Sequence, residues 1–208
     1  MKKRIIQISL LVTVLPLMSL TVQAPDEETD GSLVVNYKGS RPVITDFIDA
    51  FLTEDAEEGS DCDNWKNEWA DYRRGKPLEK RQTFTVDVRN GYVRMENKFE
   101  GGEITFHEFC FWNCSDGKHK LLVEYVGVFV GGKVVETECT GLLVYRYDNA
   151  SRRLTCIGNG SDSLGLRIEA NAPVSYRLPR VGKDIEVTIH SAKGPVKKIL
   201  KWNGQKWH

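Results

Sequence analysis

The densest group of reactive side chains in the sequence lies between residues 107 and 119. His107, Cys110, Cys114 and His119 have the spacing H-x2-C-x3-C-x4-H, and imidazole and thiolate groups are the usual ligands of zinc. The same cysteines could instead form disulfides, act as a redox pair or pack in a core. The element that carries these residues decides among the four interpretations.

Alternating residue types predict that residues 104–113 form a β-strand, which keeps the two cysteines apart. A strand rises about 3.3 Å per residue, so Cys110 and Cys114 would lie roughly 13 Å apart, whereas a disulfide needs Cα atoms within about 7 Å. His107 would point to the opposite face of the strand from Cys110. We therefore expect an aromatic core strand, and joint zinc binding would require the chain to bend near Trp112.

Two amphipathic helices are predicted ahead of the strands. In residues 40–55 the apolar positions recur at helical spacing, at Val43, Phe47, Ile48, Phe51 and Leu52. In residues 62–76 a mainly aromatic set is spaced three, four and three residues apart, which aligns it on one face of a helix: Cys62, Trp65, Trp69 and Tyr72. Faces of this kind usually pack on a sheet, although an aromatic stripe also permits ligand binding.

From residue 82 onward the apolar positions recur every second residue, which is typical of strands. Asn90-Gly91 predicts a two-residue type I′ turn that pairs Val88 with Val93. Further glycine-containing turns separate long apolar strands, and a final hairpin spans residues 183–202. We therefore expect an α+β fold, with two N-terminal helices packed on a curved, mostly antiparallel β-meander that forms a partial barrel.

The first residues of the chain have the pattern of a secretory signal peptide. The basic residues Lys2-Lys3-Arg4 precede an apolar run over residues 5–20, and small residues follow at 22–24. The apolar run is shorter than the ~20 residues of a membrane-spanning helix. We therefore expect cleavage and no transmembrane anchor after it.

The predicted organisation is a signal peptide at 1–24, a disordered acidic tether at 25–32 and a single α+β domain at 33–208. The whole chain has 29 basic and 29 acidic residues, so loss of a basic leader leaves a small negative net charge. That balance argues against the basic surface of a nucleic-acid-binding protein. The expected location is periplasmic or secreted.

An exported chain with five cysteines favours disulfides. Cys110 or Cys114 would bond Cys139 or Cys156 on another strand, and Cys62 could attach a helix to the sheet. The odd count leaves at least one thiol free or bonded to another chain. Buried reduced thiols are the main alternative, and the C-x-x-C redox spacing is absent.

Familiar catalytic motifs such as G-x-S-x-G, HExxH, a P-loop and GxGxxG are absent from the sequence. Glu124 is a lone charge in an apolar strand, so it either faces solvent or marks a pocket. With Glu108 it could form the carboxylate pair of a hydrolase. Asp116 and His119 could form an acid–base pair, although their predicted turn position favours exposure. No catalytic residue, metal site or cofactor is predicted.

A large aromatic sheet without a catalytic motif favours a non-catalytic binding protein for a small molecule or an envelope component. We expect the ligand on the concave face of the sheet, under the second helix, against Trp65, Trp69, Trp112, Glu124, Tyr125, Phe129 and Tyr145. One alternative is an envelope hydrolase that uses strand carboxylates. Another is an interaction or inhibitor module that binds a partner through its sheet edge and final hairpin.

Five segments of the chain are similar to known sequences: DVRNGYVRM, CFWNCSDGKHKLL, LLVYRYDNASRRL, YRLPRVGKDI and ILKWNGQKW. They resemble uncharacterised exported proteins of gut Bacteroidetes, and the likeness covers most of residues 80–207. The resemblance implies a bacterial envelope protein. It brings no activity, substrate or catalytic residue with it.

Overall fold

The computed structural model describes residues 32–54, 61–135, 140–168 and 172–208. Its two α-helices, α1 (Ile44–Glu54) and α2 (Asp61–Arg73), lie where helical spacing predicts them. None of the described helices is long and apolar enough to cross a membrane. The predicted signal peptide, and all but the last residue of the predicted tether, lie outside the described residues.

Eleven strands occur in the described ranges. In chain order they are β1 (Leu33–Val34), β2 (Gln82–Asp87), β3 (Tyr92–Lys98), β4 (Ile104–Asn113), β5 (His119–Val130), β6 (Lys133–Val135), β7 (Gly141–Asp148), β8 (Arg153–Asn159), β9 (Val174–Arg177), β10 (Ile185–Ser191) and β11 (Gly194–Leu200).

The main sheet contains eight antiparallel strands in the order β1-β8-β7-β5-β4-β3-β2, with β6 paired to the end of β5. It curls into a half-barrel with both helices on one face, which confirms the predicted α+β fold class. The remaining strands form a second sheet in the order β11-β10-β9. This second sheet packs on the opposite face, so the last strands form a separate layer, which the sequence analysis does not predict.

Alternation of side chains along β4 and β5 divides the core into two clusters. Phe109 and Leu122 lie under the helices, where Phe47 of α1 is fully buried. Cys110 and Val123 lie in the other cluster, under the second sheet. Successive residues of a strand point to opposite faces, so neighbours in sequence belong to different cores. Burying each large apolar side chain contributes roughly 1.5–3 kcal/mol.

A hydrogen bond between the two helices fixes the helix layer. The indole N–H of Trp69 donates to Oδ1 of Asp49 at 2.6 Å, and its ring stacks on Tyr72 at a centroid distance of 5.6 Å. At the start of α1 the backbone N–H of Val43 donates to Oδ2 of Asp46 at 2.7 Å, as in a capping box. The helix layer is therefore held by polar contacts as well as by its apolar face.

The β2–β3 hairpin forms, but its register differs from the predicted one. Val93 pairs with Val86 instead of Val88, so a four-residue loop replaces the predicted two-residue turn. The carboxylate of Asp87 accepts hydrogen bonds from the backbone N–H of Asn90 at 3.1 Å and from its side-chain amide at 2.9 Å. This side-chain turn competes with the tighter type I′ turn. The final hairpin, β10–β11, forms as predicted.

Replacing Gly91 with alanine should destabilise the protein by about 2–4 kcal/mol, because it adds overpacking to left-handed backbone strain. Gly91 has a φ of +70°, and an added Cβ would lie 2.6 Å from the ring of Phe111. Gly117→Ala is the matched control, since Gly117 has a φ of +67° with open space at the Cβ position. In urea unfolding the control should lose only about 1–2 kcal/mol. Equal losses in the two variants would contradict the close contact with Phe111.

Candidate functional site

A cavity of about 230 Å³ lies between the helix layer and the main sheet. It is smaller and more enclosed than the clefts that border the second sheet. Apolar and aromatic side chains line it together with one carboxylate: Phe51, Leu52, Trp65, Met95, His107, Phe109, Glu124, Leu143 and Tyr145. A concave, mainly apolar site with few polar groups is typical of small-molecule binding.

Glu124 is the polar centre of this cavity. Its side chain is 9% exposed, because it lies in the middle of β5 on the helix side, opposite Phe109 of β4. Oε1 accepts a hydrogen bond from Nδ1 of His107 at 3.0 Å, and Oε2 accepts one from the hydroxyl of Tyr145 at 3.2 Å. A buried carboxylate requires such partners, and here they fix the direction of both oxygens.

The contact with Glu124 determines which nitrogen of His107 carries a proton. An ionised carboxylate only accepts hydrogen bonds, so the N–H that faces ionised Glu124 belongs to Nδ1 of His107. The His107 ring meets Trp65 edge-on at a centroid distance of 5.6 Å and lies parallel to Phe109 at 6.3 Å. Aromatic rings from a helix and a strand therefore hold the His107–Glu124 pair.

Phe51 of α1 joins the helix layer to the opposite wall of the cavity. Its ring meets Tyr145 edge to face at a centroid distance of 4.8 Å and is tilted against Phe109 at 5.6 Å. Aromatic pairs of this kind contribute about 0.5–1.5 kcal/mol beyond area burial. These contacts between side chains of the protein form the wall of the cavity.

Three of the seven predicted ligand-binding residues line this cavity: Trp65, Glu124 and Tyr145. Trp69 lies in the same core, but its ring and its indole N–H connect the two helices. The other three pack on the opposite face of the sheet, because they occupy the alternate strand positions: Trp112, Tyr125 and Phe129. The seven residues therefore do not form one site.

The residues on the opposite face hold the second sheet against the main one. The indole N–H of Trp112 donates to the backbone oxygen of Lys183 at 2.8 Å, and its ring meets Trp207 edge to face at 5.1 Å. Tyr125 meets Tyr176 of β9 edge to face at 5.3 Å, and Phe129 stacks on Phe106 of the same sheet at 5.1 Å. We assign these aromatic side chains to packing on this face of the main sheet.

Glu108, the other carboxylate of the predicted hydrolase pair, lies on the opposite face of the sheet from Glu124. It is 2% exposed and accepts a hydrogen bond from the hydroxyl of Tyr92 at 2.6 Å, with the guanidinium of Arg94 3.7 Å away. The backbone N–H of Leu178 also points to it, at 3.4 Å. Burial raises the pKa of Glu108. Carboxylates on opposite faces cannot flank one glycosidic bond, so the predicted pair is wrong.

Cys110, Cys114 and Cys156 are free thiols, so the predicted disulfides among them are wrong. Cys110 lies on β4 and Cys156 on β8, three strands away in the main sheet. Neighbouring strands are about 4.8 Å apart, which separates the two Cα atoms by roughly 14 Å, twice the disulfide limit of about 7 Å. Cys139 and the side chain of Cys62 lie outside the described residues.

The four candidate metal ligands are not brought together. His107 points into the cavity under the helices, whereas Cys110 faces the opposite core, which confirms their predicted opposite directions. Cys114 and His119 flank the turn between β4 and β5. In the ranges that the structure describes, no group of three or more His, Cys, Asp and Glu side chains is placed to bind one metal ion.

His119 is held between two carboxylates. Its Nδ1 lies 2.6 Å from Oδ2 of Asp116, and its Nε2 lies 3.3 Å from Oδ2 of Asp148. Both ring nitrogens thus face carboxylates, and the predicted acid–base pair forms a clamp between the β4–β5 turn and the end of β7. Hydrogen bonds from the His119 ring and from the backbone N–H groups of His119 and Lys118 hold the pKa of Asp116 at about 2.

His107 is absent from the predicted ligand-binding residues and is predicted only as a possible metal ligand, although the sequence contains a signal for its place at the cavity. The β4–β5 turn places Phe109 opposite Glu124, and His107 lies two residues from Phe109, on the same face. Phe51 and Leu143 carry no comparable signal, because only the packed structure places them at the cavity.

The clamp around His119 should make stability depend on pH in acid. Because the pKa of Asp116 is lowered in the folded protein, its ionised carboxylate contributes fully to the free energy of unfolding above the ordinary aspartate pKa near 4. This contribution is lost as the pH falls to about 2. Asp116→Asn should therefore lower the thermal midpoint at pH 6 and have little effect at pH 2. Asp184→Asn, at an exposed aspartate, should change the midpoint little at either pH. A constant difference between wild type and Asp116→Asn down to pH 2 would contradict the clamp.

The three described thiols should differ in reactivity. Burial raises the pKa of Cys110 far above its ordinary value, and its thiol donates to the backbone oxygen of Pro179 at 3.3 Å, whereas Cys156 is exposed. Iodoacetamide at pH 8 should modify Cys156 first and Cys110 only after unfolding, because the thiolate is the reactive form. Peptide mapping by mass spectrometry measures both. A cross-linked Cys110–Cys156 peptide would contradict the structure.

Comparisons with known proteins do not assign the chain to a family. No protein-family model, curated protein or solved structure matches it. The proposed function therefore depends on the chemistry of the cavity around Glu124.

Proposed function

We propose that the protein is an exported, non-catalytic binding protein that holds a small, mainly apolar molecule between its helices and its main sheet. The observation that carries the proposal is the buried carboxylate of Glu124 in an otherwise apolar cavity. In such sites the apolar walls supply affinity, and a small number of polar groups orient the ligand.

The volume of the cavity limits the size of the ligand. A dry protein cavity of roughly 150 Å³ can hold benzene, and the cavity around Glu124 measures about 230 Å³. A single aromatic ring with a short side chain matches this volume. Larger ligands would require the helix layer to move.

Export is the part of the proposal that rests on sequence alone. The basic start, apolar run and small residues of residues 1–24 support it, as does the resemblance to exported proteins of gut Bacteroidetes. A periplasmic or secreted location would place the cavity where small molecules from outside the cell arrive.

Propylbenzene should show saturable binding to the purified protein, and Leu143→Phe should weaken that binding by about 10-fold or more, because the larger side chain occupies the cavity. Isothermal titration calorimetry measures the affinities. Val196→Phe is the control, since Val196 lies on the edge strand β11 and is 49% exposed; it should bind propylbenzene as the wild type does.

A second measurement covers the case in which Leu143→Phe does not fold. In methyl NMR spectra of the wild-type protein, propylbenzene should shift the signals of Leu52, Met95 and Leu143 and leave those of Leu200, in the other core, in place. Absence of saturable binding, or shifts confined to the other core, would overturn the proposed function.

A further inference from the structure

We infer that the cavity selects a ligand with a protonated amine, such as an arylalkylamine, whose ammonium group contacts Glu124 while its aromatic body fills the apolar space. This inference rests on the proposed function, since it names the class of ligand for the same cavity. It follows from the unused acceptor capacity of Glu124, the charges around it and the rings that line the cavity.

Glu124 keeps acceptor positions that the protein does not use. A carboxylate offers about four lone-pair positions. In the described structure one donor contacts each oxygen: His107 at Oε1 and Tyr145 at Oε2. Each oxygen therefore retains capacity for a further donor, and an ammonium group supplies up to three N–H donors on one atom.

The charge of the cavity also favours a cation. Glu124 is the acidic residue among the described lining residues, and neither lysine nor arginine is among them. His107 is the basic side chain in contact with Glu124, at 3.0 Å, and it contacts Oε1 alone, so Oε2 faces the cavity with a hydroxyl as its partner. In apolar surroundings charge interactions are stronger than in water, so a carboxylate there attracts a cationic group and repels an anionic one.

The aromatic lining adds a second attraction for the same group. The cavity is lined by the rings of Trp65, Phe51, Phe109 and Tyr145. The electron-rich faces of aromatic rings attract ammonium groups, and aromatic cages are a recurrent means of binding amines. A carboxylate surrounded by such rings matches an aromatic amine at both ends.

Glu108, on the other face of the same sheet, is a buried carboxylate with a different set of partners. A guanidinium, that of Arg94, lies 3.7 Å from it, and the hydroxyl of Tyr92 donates to it at 2.6 Å. The same sheet therefore contains one carboxylate with a guanidinium beside it and one, Glu124, whose partners are an imidazole and a hydroxyl. Glu108→Gln is thus the matched control for Glu124→Gln.

The test compares 2-phenylethylamine with propylbenzene, which has the same shape and replaces the ammonium with a methyl group. Titration calorimetry at pH 7.5 should show that wild type binds both compounds. Glu124→Gln should weaken binding of the amine by about 10- to 100-fold, the usual effect of losing a charged hydrogen bond, and leave propylbenzene binding within about threefold. Glu108→Gln should change neither affinity.

The outcomes separate this inference from the proposed function. If propylbenzene binds and the amine does not, or if Glu124→Gln binds the amine as tightly as wild type, the amine assignment is overturned and the binding function stands. Failure of both compounds to bind would overturn the proposed function and the inference with it. A loss of amine binding in Glu108→Gln alone would place the amine on the other face of the sheet and overturn the assignment to Glu124.

Discussion

The burial of both faces of β4 and β5 is the constraint on which the rest of the structure depends. These two central strands are apolar at nearly every position, as strands covered on both sides usually are. Each face therefore needs its own cover, which α1 and α2 provide on one side and β9–β11 on the other. The polar residues in the middle of these strands, Glu108 and Glu124, are consequently buried on either face, and each has to find partners inside the protein.

Glu108 and Glu124 show how the same side chain takes different roles on the two faces. Removing a carboxylate from water costs several kcal/mol, and only nearby donors and cations offset that cost. Glu108 receives the Tyr92 hydroxyl and the nearby Arg94 guanidinium from the neighbouring strand β3. The Leu178 N–H, which follows β9, links Glu108 to the second sheet. Glu124 has two partners, the His107 ring and the Tyr145 hydroxyl, and borders a cavity, so it has fewer donors around it than Glu108.

Local patterns in the sequence predict much of the fold and part of the site. Helical spacing locates α1 and α2, and alternation locates the long strands. The β4–β5 turn sets a register that places His107 and Glu124 on one face.

Local patterns do not predict long-range packing. The second sheet covers a face that the sequence leaves unassigned, so Trp112 and Trp65 were expected in one site although their strand and helix positions place them in different cores. At the β2–β3 loop a single side chain, Asp87, overrides a strong turn signal.

The cavity and the carboxylate beside it impose costs that one kind of ligand would remove. Side chains that line the cavity of about 230 Å³ lack packing partners on that side, and the whole domain has only about 5–15 kcal/mol of stability. An apolar molecule offsets the first cost by filling the space, but it brings no donor to the carboxylate of Glu124. A molecule that joins an aromatic body to an ammonium group offsets both. Because a ligand stabilises the state that binds it, such a molecule would raise the stability of the helix layer as it occupies the site.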